Sequence, residues 1–205
     1  VQGPIVDRCI DEDHLSRISN RSIRFGSAEQ IHINDPICTR RSSYFSDLTG
    51  TYKIPEPSVY EVDNTKLVGP HGLTLNKSGE YIFANASNRT MGLSIAVLET
   101  AISKLPNWGY QEGQPIRSAV SLVGPFVRNY FHWFVDYLPK IQGLQAYEDV
   151  TESLPTLLIP PNPPAWLYDS LDVLGYADQV VEWTSGRARV DELVAGTVAA
   201  PAARD

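Results

Sequence analysis

The sequence predicts an α/β protein with a Rossmann-like parallel sheet and helices on its faces. In the second half of the chain, short apolar runs alternate with segments of helical periodicity, which is typical of βαβ units. Proline and glycine mark the boundaries of these segments. With 205 residues, 42% of them hydrophobic, the chain is long enough for one substantial core.

Residues 1–60 are expected to form an irregular N-terminal arm. They are polar, rich in turn residues and without a sustained hydrophobic period, and they end in the proline-bearing run YKIPEPSVYEV. One short helix is expected near 11–19. We assign the remainder, 61–205, to the Rossmann-like domain.

This domain is predicted to open with a β-hairpin and a helix. The run KLVGPHGLTLNKSGEYIF alternates apolar and polar residues around the turns Gly69-Pro70 and Lys77-Ser78-Gly79, which indicates paired strands. Apolar residues at helical spacing then predict a helix over 92–105, which ends before Pro106.

The α/β alternation follows. Strands are predicted over 118–124 (SAVSLVG), 155–160 (PTLLIP), 179–184 (QVVEWT) and 190–200 (VDELVAGTVAA), and helices over 129–147 and 163–175. The second helix has proline at its start and glycine at its end, as helix boundaries favour.

Composition and motifs exclude several functions. The chain has a net charge of −7 and no concentrated cluster of basic residues, which nucleic-acid binding needs. No apolar run is long enough to span a membrane. Cys9 and Cys38 have no metal-site spacing, so one disulfide or two thiols remain open. The sequence contains no GxGxxG, GxxxxGK[ST], GxSxG or HExxH.

The predicted helix over 129–147 carries a polar stripe at the carboxyl end of a strand, where ligands bind in open α/β sheets. His132 and Asp136 are four residues apart and lie on one face, and Lys140 continues the stripe. A carboxylate beside an imidazole can orient it as a general base, although a solvated or core pair has the same spacing. Asn129 suits the helix cap.

Other polar residues have simpler interpretations. Trp133 and Tyr130 have two interpretations: their aromatic side chains either pack in the core or stack on a sugar. His71 lies in the GPHG turn, and we interpret it as a turn residue. The acidic triplet Asp11-Glu12-Asp13 matches the Asp-x-Asp of metal-dependent nucleotide-sugar enzymes, but it precedes any convincing strand, so an exposed acidic turn is the better interpretation.

The run NYFHWFVDYLPK, residues 129–140, resembles the Asn-Tyr-x-His-Trp-x-x-Asp-x-Leu-Pro-Arg signature of glycosyltransferase family 61. The hairpin upstream and the βα unit ending in LDVLGY downstream are also similar, so that the resemblance covers roughly 65–200. Lys140 stands where the family has arginine, which keeps the charge but loses the bidentate fork.

The resemblance implies one half of a GT-B architecture and sugar transfer with inversion from a nucleotide-sugar, a UDP-sugar being expected. Matching positions imply His132 and Asp136 as catalytic residues, and Asn129, Tyr130, Trp133 and Lys140 as substrate-binding residues. No metal or other cofactor is expected. The donor-binding half is expected outside this chain, which would then be inactive alone.

The expected partners are a glycan or glycoprotein acceptor, the nucleotide-sugar and the C-terminal half of the same enzyme. Two alternatives stay open. One is a non-catalytic carbohydrate-binding or assembly module with the same fold. The other is an unrelated α/β nucleotide-binding protein, which would need a phosphate-binding glycine loop that the sequence lacks.

Overall fold

A computed structural model describes residues 9–10, 12–35, 37, 49–82, 113–184 and 186–197. The strands are β1 (Cys9–Ile10), β2 (Arg21–Arg24), β3 (Glu29–Ile33), β4 (Gly50–Ile54), β5 (Ser58–Val68), β6 (Leu73–Leu75), β7 (Tyr81–Ile82), β8 (Ile116–Ser121), β9 (Thr156–Ile159), β10 (Val180–Glu182) and β11 (Arg187–Gly196).

The α-helices in the described part are α1 (Glu12–Ile18), α2 (Tyr130–His132), α3 (Leu144–Thr151) and α4 (Ala165–Val173). Directly after α2 the chain continues as a π-helix, Trp133–Tyr137, and a 3-10 helix, Leu138–Ile141. We call α2 and these two segments together the motif helix. A further 3-10 turn spans Ala177–Gln179.

Nine strands form one mixed sheet in the order β1-β7-β6-β5-β11-β8-β9-β10, with β2 paired to β5. The four strands β11, β8, β9 and β10 are parallel. The motif helix and α3 connect β8 to β9, and α4 connects β9 to β10. The α/β class is therefore confirmed. The sheet is mixed rather than parallel throughout, because β5 pairs antiparallel with β11 along nearly its whole length.

The elements expected in the second half are present, but the helix predicted over 129–147 is divided into the motif helix and α3, which continues to Thr151. The helix predicted over 163–175 is α4, which ends in a Schellman motif: Gly175 has φ 83°, the Gly175 amide donates to Asp172, and the Tyr176 amide donates to Leu171. Glycine adopts this left-handed conformation without a Cβ penalty. The last strand begins earlier than predicted, at Arg187, because its polar first half pairs with β5.

The expected irregular arm contains more regular structure than the sequence predicted. The short helix near 11–19 is confirmed as α1, but β2 belongs to the main sheet and β3 pairs with β4 in a separate two-stranded sheet. The pairing of β2 was missed because Ile23 is its one buried residue, so no apolar alternation marks the strand.

The core lies on both faces of the sheet because successive strand residues point to opposite sides. On β8, Val120 packs with the motif helix and α4, whereas Ala119 packs with Leu15 of α1 and with the hairpin strands. On β9, Leu157 belongs to the first face and Leu158 to the second. The motif helix, α3 and α4 contribute to the core on the first face, and Leu15 of α1 contributes to the core on the second.

The predicted hairpin is confirmed for its described part, as β5, β6 and β7 pair antiparallel in sequence order. The helix predicted over 92–105 and the side chains of Cys9 and Cys38 lie outside the described residues. Among the helices of the described part, none is long and apolar enough to cross a membrane.

Candidate active site

The candidate site begins where β8 leads into the motif helix. Asn129 precedes that helix with extended backbone angles, and its Oδ1 accepts hydrogen bonds from the amides of Phe131, at 3.0 Å, and His132, at 3.4 Å. These amides would otherwise lack partners at the first turn of a helix. Asn129 is therefore the cap that the sequence suggested.

The motif helix is irregular at its centre. The Leu138 amide donates to the carbonyl of Trp133, five residues back, which defines a π turn. Pro139 follows; it lacks an amide hydrogen, and its ring would collide with the carbonyl four residues earlier in a regular α-helix. Such π turns occur frequently at functional sites.

His132 and Asp136 form a hydrogen-bonded pair on one flank of this helix. Nδ1 of His132 lies 2.7 Å from Oδ2 of Asp136, and the side chains are 20% and 14% exposed. The carboxylate accepts the proton on Nδ1, which leaves Nε2 of the neutral ring as the acceptor. Among the residues that the structure describes, Nε2 has no hydrogen-bond partner.

This arrangement can perform general base catalysis. The carboxylate fixes the ring orientation and tautomer and stabilises the imidazolium that forms when Nε2 takes a proton. The side chains are largely but not fully buried, so that a substrate hydroxyl can reach the ring. The pair that the sequence predicted is thus close in space, and its catalytic role stays a prediction.

The two aromatic candidates of the motif helix, Trp133 and Tyr130, differ in burial. Trp133 is fully buried, and its Nε1 donates to Ser170 Oγ of α4 at 2.9 Å, so it belongs to the core and offers no surface to a sugar. Tyr130 is 62% exposed and contacts Phe134 and Trp166 through its ring. Of the two, only Tyr130 is accessible to a ligand.

Lys140 does not reach the surface. It is 1% exposed, and its Nζ lies 4.8 Å from the centroid of the Tyr137 ring. Burial lowers the Lys140 pKa to about 7, an effect that the charge of Asp136 partly offsets. This burial does not favour direct contact with a substrate, so the binding role of Lys140 stays a prediction.

Close backbone packing keeps Lys140 in this position. Gly196, the last residue of β11, lies directly against the Lys140 carbonyl, and a Cβ at that position would collide with it. The motif helix and β11 can approach this closely only because residue 196 has no side chain.

The β5–β6 turn reaches the same end of the sheet, a contact that sequence reasoning missed. Trp183, next after β10, donates through Nε1 to the Gly69 carbonyl at 2.8 Å, and Gly72 packs beside Val123. Burial lowers the pKa of His71, and a hydrogen bond with the Gly124 backbone raises it. His71 is a turn residue as expected, but no local signal indicates that its turn contacts the loop before the motif helix.

The remaining candidates lie elsewhere. The acidic triplet at 11–13 follows β1 directly, contrary to the expectation that no strand precedes it, because the two-residue β1 pairs with β7. Its acidic side chains lie outside the described part, and four strands separate β1 from β8 in the sheet order. Among the side chains that are described, no three His, Cys, Asp or Glu residues are grouped as metal ligands.

Comparison with known proteins gives no assignment. No protein-family model, no curated protein and no solved structure matches the chain.

Proposed function

We propose that this chain is the acceptor-side half of an inverting glycosyltransferase. The observation that carries the proposal is the 2.7 Å hydrogen bond between His132 and Asp136, in a segment whose sequence resembles the family 61 signature. The position of the pair agrees with this function, because the motif helix follows a parallel strand and ligands bind at such exits.

The chemistry follows from a single displacement. As the acceptor oxygen attacks the anomeric carbon, its proton passes to Nε2 of His132. The bond between the anomeric carbon and the phosphate oxygen breaks at the same time, and the nucleoside diphosphate leaves with that electron pair. Because attack and departure occur on opposite faces of the sugar, the configuration inverts, and Asp136 stabilises the imidazolium.

The proposed architecture is GT-B, in which two Rossmann-like halves face each other across a cleft. The mixed sheet of the described part, with four parallel strands and helices between them, supports the proposal, and we assign the nucleotide-sugar to the other half of the enzyme. On its own, the 205-residue chain should bind nucleotide-sugars weakly and transfer no sugar.

The test is transfer by the full-length enzyme from a panel of UDP-, GDP- and CMP-sugars to simple glycosides. We expect product from one donor class, with an inverted anomeric configuration detected by NMR, and turnover at least about a hundredfold lower for His132→Ala. Retention of configuration would contradict the proposal. Calorimetry of the 205-residue chain against the same donors is the second arm, and micromolar binding there would mean that the donor site lies in this half after all.

A non-catalytic carbohydrate-binding module is the second candidate. The exposed aromatic residues of the motif helix, Tyr130 at 62% and Phe131 at 64%, favour it, since exposed aromatic groups are typical of binding surfaces. Glycan binding by the full-length protein without transfer from any donor of the panel would favour this function over catalysis.

A further inference from the structure

Two exposed phenyl rings flank the imidazole of His132. The ring centroid of Phe126 lies 5.4 Å from that of His132, and the centroid of Phe131 lies 5.6 Å from it. Phe126 is 51% exposed and Phe131 is 64% exposed. We call these three residues the aromatic slot.

The backbone of Phe126 has an unfavourable conformation, which the surrounding loop holds in place. Its φ angle is 62°, in the left-handed region that bulky side chains avoid. The surrounding loop holds it there: the Asn129 amide donates to the Phe126 carbonyl at 2.8 Å, and the Tyr137 hydroxyl donates to the Pro125 carbonyl. Strained residues of this kind cluster at ligand-binding and active sites.

The ring planes show what shape the slot accepts. Phe126 is inclined at 31° to the imidazole and Phe131 at 81°, so that the two phenyl planes diverge from each other by at least about 50°. A planar nucleobase stacked between parallel rings does not fit this geometry. A saturated, puckered ring can rest one face on Phe126 and an edge on Phe131.

The charges near the slot favour a neutral ligand. Arg128 donates to the Pro161 carbonyl, and Lys140 is buried, while the carboxylate of Asp136 lies behind His132. A diphosphate would meet this carboxylate while Lys140 stays buried; Arg128 is exposed, and its guanidinium is directed to Pro161. A sugar hydroxyl, by contrast, can donate to the open Nε2.

We propose that the aromatic slot is the acceptor subsite, in which a neutral pyranose rests its apolar face on Phe126 and Phe131 and donates one hydroxyl to Nε2 of His132. Many ligand-binding sites have this composition, in which aromatic side chains surround the ligand and a few polar groups fix its orientation. The identity of that hydroxyl as the nucleophile rests on the proposed function; the binding of the sugar does not.

Binding is tested with the 205-residue chain and three probes, the methyl β-glycosides of xylose, galactose and N-acetylglucosamine, by saturation-transfer NMR and titration. We expect Phe131→Ala and Phe126→Gly to weaken binding of at least one glycoside by about tenfold, as expected for loss of one aromatic contact. Phe134→Ala is the matched control, because Phe134 is an exposed ring of the same helix that contacts Tyr130 and Trp166.

Phe126→Gly separates a binding role from a structural one. Glycine adopts positive φ without strain, so the variant should melt at a temperature equal to or higher than that of the wild type while it binds the glycoside more weakly. If none of the three glycosides binds, or if both slot variants bind as the wild type does, the subsite assignment is wrong. Competition by uridine monophosphate at the slot would also overturn it.

Kinetics of the full-length enzyme keep the two proposals distinguishable. Phe126→Gly and Phe131→Ala should raise the acceptor KM by about tenfold with little change in kcat, as expected when uniform binding is lost. Unchanged acceptor KM in an active enzyme overturns the subsite and leaves the proposed function intact. Slot-dependent glycoside binding without any transfer supports the subsite and overturns the proposed function.

Discussion

Nδ1 of His132 lies 2.7 Å from Oδ2 of Asp136, one turn along the motif helix. The π-helical segment from Trp133 to Tyr137 begins directly after His132 and includes Asp136. The carboxylate thereby fixes one nitrogen of the imidazole and leaves the other directed away from the pair. Orientation of this kind is what a general base requires.

Replacement of either member of the pair should reduce catalysis far more than stability. We expect His132→Ala and Asp136→Asn each to lower turnover of the full-length enzyme by at least about a hundredfold, within the range for loss of a general base or its orienting group. Melting temperatures should stay near that of the wild type. Gln142→Ala, an exposed change beyond the end of the same helix, is the control. Variants that melt early and yet turn over normally once folded would show that the pair is structural.

Turnover should not depend on a divalent metal. The proposed base is an imidazole oriented by a carboxylate, and the acidic triplet at 11–13 follows in sequence after β1, which four strands separate from β8 in the sheet order. The measurement is transfer by the full-length enzyme in EDTA, followed by addition of manganese. Asp11→Asn and Asp13→Asn should turn over normally. Loss of activity in EDTA that manganese restores would contradict this prediction and indicate a role for Asp11 and Asp13.

Truncation of Trp133 should destabilise the chain much more than truncation of Tyr130. Trp133 is fully buried and hydrogen-bonded to Ser170, so Trp133→Ala should cost about 3–5 kcal/mol of unfolding free energy. Tyr130 is largely exposed, and Tyr130→Ala should cost about 1 kcal/mol or less. Urea denaturation of both variants measures the difference. Similar costs would mean that the assignment of one residue to the core and the other to the surface is wrong.

Elements with a local signal were predictable from the sequence. The strand predicted over 155–160 is β9, and α4 begins after Pro164 and ends before Gly175 as expected. The spacing of four residues between His132 and Asp136 likewise predicted their contact, which the 2.7 Å hydrogen bond confirms. In each case the determining contacts lie within a few residues along the chain, where hydrophobic period and cap chemistry are visible.

Features that depend on distant contacts were not predictable. The pairing of β2 with β5 and the antiparallel pairing of β11 with β5 join segments far apart in sequence. The same is true of the turn that brings His71 to Gly124. The burial of Lys140 depends on the absence of a side chain at Gly196, a relationship that the motif alone cannot show.

Lys140 should make the stability of the chain depend on pH. Its pKa is lowered by burial to about 7 from 10.5, so between these values the unfolded state binds more protons than the folded state, and stability rises with pH. Below about pH 7 both states are protonated, and the full cost, on the order of 5 kcal/mol, is present.

Lys140→Met should therefore stabilise the chain at pH 6, and the gain should shrink as the pH approaches 10. Urea denaturation at several pH values measures this, with Lys66→Met, on an exposed residue of β5, as the control for loss of one positive charge. A gain at Lys140 that is the same at every pH would show that burial does not shift its pKa.

Substitutions of Asn129 can show whether this residue only caps the motif helix or also contacts the substrate. Its Oδ1 accepts from the Phe131 and His132 amides, so Asn129→Ala should cost about 1 kcal/mol of stability and loosen the turn that positions His132. Serine and aspartate are also good caps, and neither carries the amide group of asparagine. If capping is the whole role, Asn129→Ser and Asn129→Asp should retain both the melting temperature and the kinetic constants of the full-length enzyme. A serine variant that melts as the wild type does but has an acceptor KM raised about tenfold, or roughly 1.4 kcal/mol of binding, would instead show that the Asn129 amide contacts the substrate.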